Sequence, residues 1–271
     1  MAKVRLDTLI HSQGLVSSRE KAQAMIIAGE VWVNGNRIDK PGTKVDEKIE
    51  IHIQSRRIQY VSRGGFKLEG AIQDFNIDFQ AKVVLDVGAS TGGYTDCALQ
   101  NGAAKIFAVD VGYGQLDWSL RNDPRVVVFE RTNIRYFTPE NLGELVDIIT
   151  MDVSFISTTI IFPVLTHLLK EDGKVISLIK PQFEAGREKV GKKGVVKDPA
   201  VHREVLLRCI AAAGQSGLNC VGISYSPIKG PEGNIEYFIY LVKKPEPLEQ
   251  ISEKVAEVVL RAHDVLEGKA K

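Results

Sequence analysis

The chain has 271 residues, 44% of them hydrophobic and 25% charged, with a formal net charge of +1. These are the proportions of an ordinary soluble globular protein, long enough for one well-buried domain and a small second one. No segment approaches ~18 uninterrupted apolar residues, which excludes a membrane-spanning helix. Met1 to Asp7 acquires an acid before any apolar stretch forms, so no secretory signal is expected. Cys97, Cys209 and Cys220 have neither pair spacing nor a nearby histidine, so no metal site is expected and reduced core thiols are. A cytoplasmic protein is the expectation.

Residues 1–60 carry 10 Lys/Arg against 7 Asp/Glu. Arg5 to Ile10 reads as a short helix with Leu6, Leu9 and Ile10 apolar. Ser17-Ser18-Arg19-Glu20 caps a second helix, Lys21 to Ala28, which Gly29 ends. Val31-Trp32-Val33 and Ile49 to Ile53 read as strands, with Asn34-Gly35 a tight hairpin signal and Pro41-Gly42 a further turn. A unit of this size buries little surface, so binding is a more natural role for it than catalysis. Gln54 to Tyr60, with Arg56-Arg57, reads as a polar linker. The domains are accordingly expected at 1–54 and 61–271, with the linker at 55–60.

Beyond the linker, strands at 83–86, 106–110, 126–129, 146–151, 174–180, 219–225 and 236–242 alternate with helices. The helices are expected near 64–75, 93–101, 115–121, 157–169 and 199–216. This alternation predicts an α/β fold with a doubly wound, Rossmann-like sheet and its ligand at the carboxyl ends of the strands. The last two strands follow one another, so the final one is expected to run antiparallel. An amphipathic helix over 248–268 closes the chain.

The most telling stretch is Leu85-Asp86-Val87-Gly88-Ala89-Ser90-Thr91-Gly92-Gly93, where a strand breaks into small residues and opens a helix. Three glycines let a ligand lie against the backbone there. Asp110 ends the next strand, some 20 residues on, where an acid suits a ribose hydroxyl pair. No Gly-Lys-Ser/Thr follows, so the loop is not a Walker phosphate binder. Asp-x-Gly-x-x-x-Gly-Gly resembles motif I of the S-adenosylmethionine (SAM) methyltransferases. The expected SAM contacts are Gly88, Ser90, Thr91, Gly92, Gly93, Asp110 and Asn133, with Asp86 beneath the loop and contributing through its turn.

Four charged residues stand at strand ends or beside glycines: Lys67, Asp152, Lys180 and Glu236. They fall where the Lys-Asp-Lys-Glu tetrad lies in the FtsJ/RrmJ-like ribose 2′-O-methyltransferases. The strings Tyr60-Val61-Ser62-Arg63-Gly64-Gly65-Phe66-Lys67, Asp152-Val153-Ser154-Phe155-Ile156-Ser157, Lys180-Pro181-Gln182-Phe183-Glu184 and Gly194-Val195-Val196-Lys197-Asp198-Pro199 narrow the resemblance to the TlyA/hemolysin A family. The first 54 residues resemble the small RNA-binding domain shared with a small-subunit ribosomal protein, some pseudouridine synthases and tyrosyl-tRNA synthetases.

The resemblance implies SAM-dependent methylation of a cytidine 2′-hydroxyl in ribosomal RNA, usually of the large subunit and in some members also of the small one. It implies ribosomal RNA or ribosomal subunits as partners, with Arg5, Arg19, Lys21 and Arg37 as RNA contacts. The basic, glycine-punctuated segment 186–194, with Lys189, Lys192 and Lys193, reads as a loop able to clamp a phosphate backbone. A ribose hydroxyl is a poor nucleophile, so Lys180 is the candidate general base or alkoxide stabiliser, with burial and Lys67 favouring its neutral form. Asp152 would orient Lys180, and Glu236 would position Lys67 or the ribose. Exocyclic-amine methylation fits less well, because Asp152-Val153-Ser154-Phe155 lacks the two prolines of the usual motif. Cytosine carbon-5 methylation would need a cysteine near that site. Two other readings are an RNA-binding assembly factor without catalysis and a membrane-active haemolysin. The intact tetrad weighs against the first. The absence of a spanning helix, with Glu249, Glu253 and Glu257 on the last one, weighs against the second.

Overall fold

Residues 3–16, 18–27, 29–53, 60–244 and 248–268 are described by the computed structural model. The chain divides into two units, Met1–Gln59 and Tyr60–Lys271. Of the expected linker, residues 55–59, including Arg56 and Arg57, lie outside the described residues, as does Gln54. Tyr60 does not behave as linker: its ring is 3% exposed and meets Phe66 edge-on at 5.3 Å.

The first unit contains β1 (Lys3–Arg5), α1 (Leu6–Ser12), α2 (Arg19–Ile27), β2 (Val31–Val33), β3 (Asn36–Ile38), β4 (Lys44–Asp46) and β5 (Ile51–Ile53). β2 pairs antiparallel with both β3 and β5, while β1 pairs with β4. Asn34 (φ 48°) and Gly35 (φ 75°) form the two-residue hairpin turn, which needs left-handed backbone at both positions. Ser18 Oγ accepts the Lys21 backbone N–H at 3.2 Å and caps α2. Leu6, Leu9 and Ile10 of α1 bury against Ala22 and Ile26 of α2 and Val31 and Val33 of β2. β1, β3 and β4 leave no signal in the sequence, because three residues are too few to display a period.

The second unit is built from α3 (Gly64–Phe75), β6 (Val83–Val87), α4 (Gly93–Gln100), β7 (Lys105–Val109), α5 (Trp118–Arg121), β8 (Val126–Phe129), α6 (Pro139–Leu142), β9 (Val146–Met151), α7 (Phe162–Leu168), β10 (Leu169–Ile179), α8 (Pro181–Glu184), α9 (Pro199–Gln215), β11 (Asn219–Tyr225), β12 (Tyr237–Val242) and α10 (Ile251–Leu266). Its seven-stranded sheet runs β11-β12-β10-β9-β6-β7-β8. Neighbours from β10 through β8 are parallel, and β12 is antiparallel to both of its neighbours. The parallel strands read as continuous apolar runs because both faces are covered. Along β6 the pleat sends Leu85 and Val87 to the core shared with α7, α9 and α10, and Val84 to the core shared with α3 and α4.

The chain leaves β6 in one direction, through β7 and β8, and returns on its other side through β9 and β10. The carboxyl ends of β6 and β9 therefore flank the crevice at which the strand order reverses. Two expected helices shrink. Only Trp118–Arg121 of 115–121 is helical, and 157–169 becomes a 3₁₀ turn (Thr158–Ile160) followed by α7. β10 begins five residues earlier than expected, with a register shift between Leu169 and Lys174.

Candidate active site

Two glycines shape the backbone of the loop that follows β6. Gly88 (φ 84°) follows β6, and a Cβ there would stand 2.6 Å from the Asp152 carbonyl oxygen, so β6 and β9 can close on each other only at a glycine. Gly92 (φ 100°) turns the chain into α4, and its missing Cβ makes room for Leu120 and Leu116. The loop is tied to the next strand: Ser90 N–H donates to Asp110 Oδ2 at 2.8 Å, and Gly112 N–H to Oδ1 at 2.7 Å. Each oxygen keeps a further lone pair for a hydroxyl donor.

The resulting cleft holds about 470 Å³, with Gly88, Ser90, Asp110 and Asn133 of the predicted residues on its lining. Val87, Val109 and Ile134 give it apolar walls. Asn133 also caps a turn, its Oδ1 accepting from the Arg135 backbone at 3.1 Å. Thr91 and Gly92 do not line this cleft, and Gly93 lines the pocket beside it.

Asp86 lies beneath the loop, 1% exposed, accepting hydrogen bonds from Thr95 Oγ1 (2.7 Å) and Thr150 Oγ1 (3.0 Å). Burial pushes its carboxyl up to about 6, against the pull of the two threonines. The folded chain therefore holds this proton more tightly than the unfolded chain does. Stability contributed below the unfolded value of 3.8 is lost as pH rises through about 6. Asp86→Asn should be more stable than wild type at neutral pH, by no more than about 3 kcal/mol, and the advantage should vanish near pH ~4. Urea unfolding at several pH values measures this; a pH-independent difference would contradict it.

Beside the cleft, one helix and the ends of three strands bring the four predicted charged residues together. Lys67 comes from α3, Asp152 follows β9, Lys180 caps α8 after β10, and Glu236 precedes β12. Lys67 Nζ donates to Glu236 Oε2 at 2.6 Å and lies 3.5 Å from Asp152 Oδ2, while Lys180 Nζ is 2.5 Å from Asp152 Oδ1. The result is a continuous chain, Glu236–Lys67–Asp152–Lys180, with side chains only 1–15% exposed. Burial works to lower the Lys67 amine, but Asp152 and Glu236 together outweigh it and hold the ammonium above the usual lysine range. Two cations and two anions leave the group neutral, which is what permits four charges in so dry a place.

Their pocket, about 370 Å³, shares Gly88, Ser90, Asp152 and Ser154 with the first cleft. The two cavities thus meet at the residues between the glycine loop and the tetrad. Three neighbours escape a reading of the sequence. Ser154 Oγ accepts from Lys180 Nζ at 2.9 Å. Phe155, 90% exposed at φ 64°, rests on Phe183 with ring centres 4.8 Å apart. Glu184 accepts from Ser157 Oγ (2.6 Å), Thr158 N–H (2.7 Å) and Thr158 Oγ1 (2.9 Å), pinning the loop after Asp152 to α8. All three lie inside the strings that carry the family resemblance, without a pattern to separate ligand from support.

Of the predicted basic contacts, Arg5 and Arg19 converge on Asp7 in the first unit. Lys21 is exposed on α2, and exposed Arg37 lies over Gly29. In the second unit Lys189 is held by Glu204 at 2.6 Å, while exposed Lys192 and Lys193 line a pocket with Lys197 and Lys229. Lys229 also lines the tetrad pocket.

Residues 60–243 match the family model of the FtsJ-like methyltransferases. The chain belongs to that family. Residues 4–51 match the S4 domain. The FtsJ-like chain is 49% identical over 271 residues to YqxC of Bacillus subtilis (strain 168), described as a candidate rRNA methyltransferase, covering 98% of this chain and 96% of that protein. It is 45% identical over 241 residues to the 16S/23S rRNA (cytidine-2′-O)-methyltransferase TlyA of Mycobacterium tuberculosis (strain ATCC 25618 / H37Rv), covering 88% and 90%. A solved structure from Streptococcus thermophilus, described as a candidate hemolysin, superposes with a TM-score of 0.77 at 43% identity, covering 100% of this chain and 99% of that one. Among the described residues, no helix of the FtsJ-like methyltransferase is long and apolar enough to cross a membrane. SAM is the methyl donor of such enzymes. The first cleft suits it, with apolar walls, an acid following β7 and, from the glycine loop, Gly88 and Ser90 on its lining.

Proposed function

We propose that this enzyme transfers the methyl group of SAM to the 2′-hydroxyl of a cytidine ribose in ribosomal RNA, with the large-subunit RNA as first target and the small-subunit RNA as the alternative, in the cytoplasm where ribosomal subunits are assembled. The observation that carries the reading is the Glu236–Lys67–Asp152–Lys180 chain, whose last three members line a pocket that shares Gly88, Ser90, Asp152 and Ser154 with the cofactor cleft. SAM, when bound, supplies an electrophilic methyl carbon on a sulfonium. Transfer to the hydroxyl oxygen yields a methoxy group, a thioether and one released proton.

A neutral ribose hydroxyl attacks poorly, so the protein's task is to align it and stabilise the negative charge that grows as its proton leaves. Lys180 carries that task. It stands at the end of the chain, 2.5 Å from Asp152 and 2.9 Å from Ser154, both of which line the junction of the two cavities. Asp152 holds the Lys180 ammonium in place, and Lys67, kept charged by its two acids, holds Asp152. The assignment of Lys180 as charge stabiliser follows from this pairing, which fixes its Nζ beside the residues common to both cavities.

Phe155 would stack the base of a nucleotide whose ribose enters the pocket, its exposed ring being held by Phe183. Phe155→Ala should raise KM for RNA roughly tenfold or more, and by a larger factor than it weakens SAM, whose cleft the ring also lines. Methylation kinetics on ribosomal subunits, with SAM titration alongside, check both. An unchanged KM would remove Phe155 from the RNA site. The wider reading is tested by alkaline hydrolysis of the labelled RNA: 2′-O-methylation blocks cleavage at its own phosphodiester, so label must appear in alkali-resistant dinucleotides that begin with cytidine.

A further inference from the structure

The first unit contains a buried acid that the reaction does not use. Asp7 has no exposed side-chain surface, yet two half-exposed arginines, 48% and 47% accessible, close on it from different elements. Arg5 donates Nε to Oδ1 and Nη2 to Oδ2, each at 3.0 Å. Arg19, at the start of α2, donates Nε to Oδ2 at 3.1 Å and places Nη2 at 3.0 Å. Gln23 Nε2 (2.8 Å) and the Thr8 backbone N–H (2.9 Å) fill the remaining acceptor sites. Gly42 leaves room for the Arg5 guanidinium, since a Cβ there would stand 3.3 Å from Nη1. The bonds to the two arginines hold the Asp7 carboxyl well below the usual carboxylate range, so it is an anion at every working pH.

We propose that Asp7 is a positioning residue that holds Arg5 and Arg19 as a preformed fork for an RNA phosphate. The inference rests on the reading that the S4-type unit binds RNA. Each guanidinium spends its Nε–Nη2 edge on Asp7, which fixes the plane and turns the Nη1 edge away from the carboxylate. Arginine has five N–H donors in a rigid plane, so donors remain on both residues for phosphate oxygens. Two long side chains tethered to one buried anion lose little further freedom when they bind, and that lowers the entropic cost of the contact.

The sign of one substitution separates positioning from charge. Asp7→Asn removes an anion beside two cations, so arginines that acted through charge alone would bind RNA more tightly in the variant. A positioning role requires the opposite. With the full-length protein and a fluorescein-labelled RNA hairpin, Asp7→Asn should bind roughly threefold to tenfold more weakly, and the slope of log K against log salt should become shallower by about 1 for each phosphate no longer neutralised. Arg19→Lys keeps the charge but cannot form the fork, and should weaken binding in the same direction; it serves as the test if Asp7→Asn fails to fold in a thermal melt. Unchanged or tighter binding, with the wild-type slope, in the folded variants would overturn the inference. The double variant Arg5→Ala/Arg19→Ala distinguishes the two layers. If it binds the hairpin as wild type does, the RNA reading of these arginines falls and the fork with it. If it binds weakly while Asp7→Asn and Arg19→Lys do not, RNA contact stands and positioning alone is refuted.

Discussion

Lys180→Ala should reduce methyl transfer by about 10³-fold while leaving SAM affinity and the fold intact. The substitution removes the Nζ group that lines the second pocket and is held by Asp152 and Ser154, two residues common to both cavities. It also leaves Asp152 with the Lys67 ammonium at 3.5 Å, so the structural cost is modest. Lys180→Arg sharpens the test. The wider, planar guanidinium keeps the charge but cannot occupy the ammonium's place at 2.5 Å from Asp152 and 2.9 Å from Ser154. It should recover little activity. Single-turnover transfer from labelled SAM measures both variants, and near-normal rates in Lys180→Ala would remove this residue from the mechanism.

The second large effect is on stability. Lys67→Met strips the partner from Glu236, whose side chain is 1% exposed, and should cost about 3–5 kcal/mol in urea unfolding at neutral pH. Glu236 packs against Gly230, where a Cβ would come within 2.6 Å of Oε1, so the freed carboxylate has no route to solvent without displacing that loop. The double variant Lys67→Met/Glu236→Leu removes both charges and should recover most of the loss, because two apolar side chains replace a desolvated ion pair. Its methyl transfer should stay low, since Asp152 would then lack the Lys67 ammonium that holds it. Recovery of activity together with stability would show that the Lys67–Glu236 pair serves the fold alone.

The site is legible in the sequence wherever chemistry imposes a residue type at a strand end. Asp110 can be placed from its offset past the glycine loop, and the structure puts its carboxylate on that loop through Ser90. Lys67, Asp152, Lys180 and Glu236 are spread over 170 residues, and no spacing rule joins them. Family resemblance brings them together in sequence, and the sheet order does so in space. The roles of Glu184, Phe155 and Asp7 are hidden for a different reason. A glutamate that pins a loop looks like any surface acid, and an exposed phenylalanine looks like a core residue until its partners are known. Asp7 looks like an ordinary acid in the first turn of a helix, although it is a hub for α1 and α2. The shortened helices share one cause. Gly114 with its N–H bound to Glu130 holds the 110–117 segment as a loop, and Ser157 and Thr158 are held by Glu184 where helix was expected.

The most direct measurement is methyl transfer from labelled SAM to purified ribosomal subunits lacking the modification, by wild type and Lys180→Ala in parallel, followed by digestion to nucleosides. The expected result is label in 2′-O-methylcytidine from the wild-type reaction and its near absence from the variant. Label on a base, or wild-type protein that binds RNA and SAM without transferring label to either subunit, would contradict the assignment of this pocket to ribose methylation.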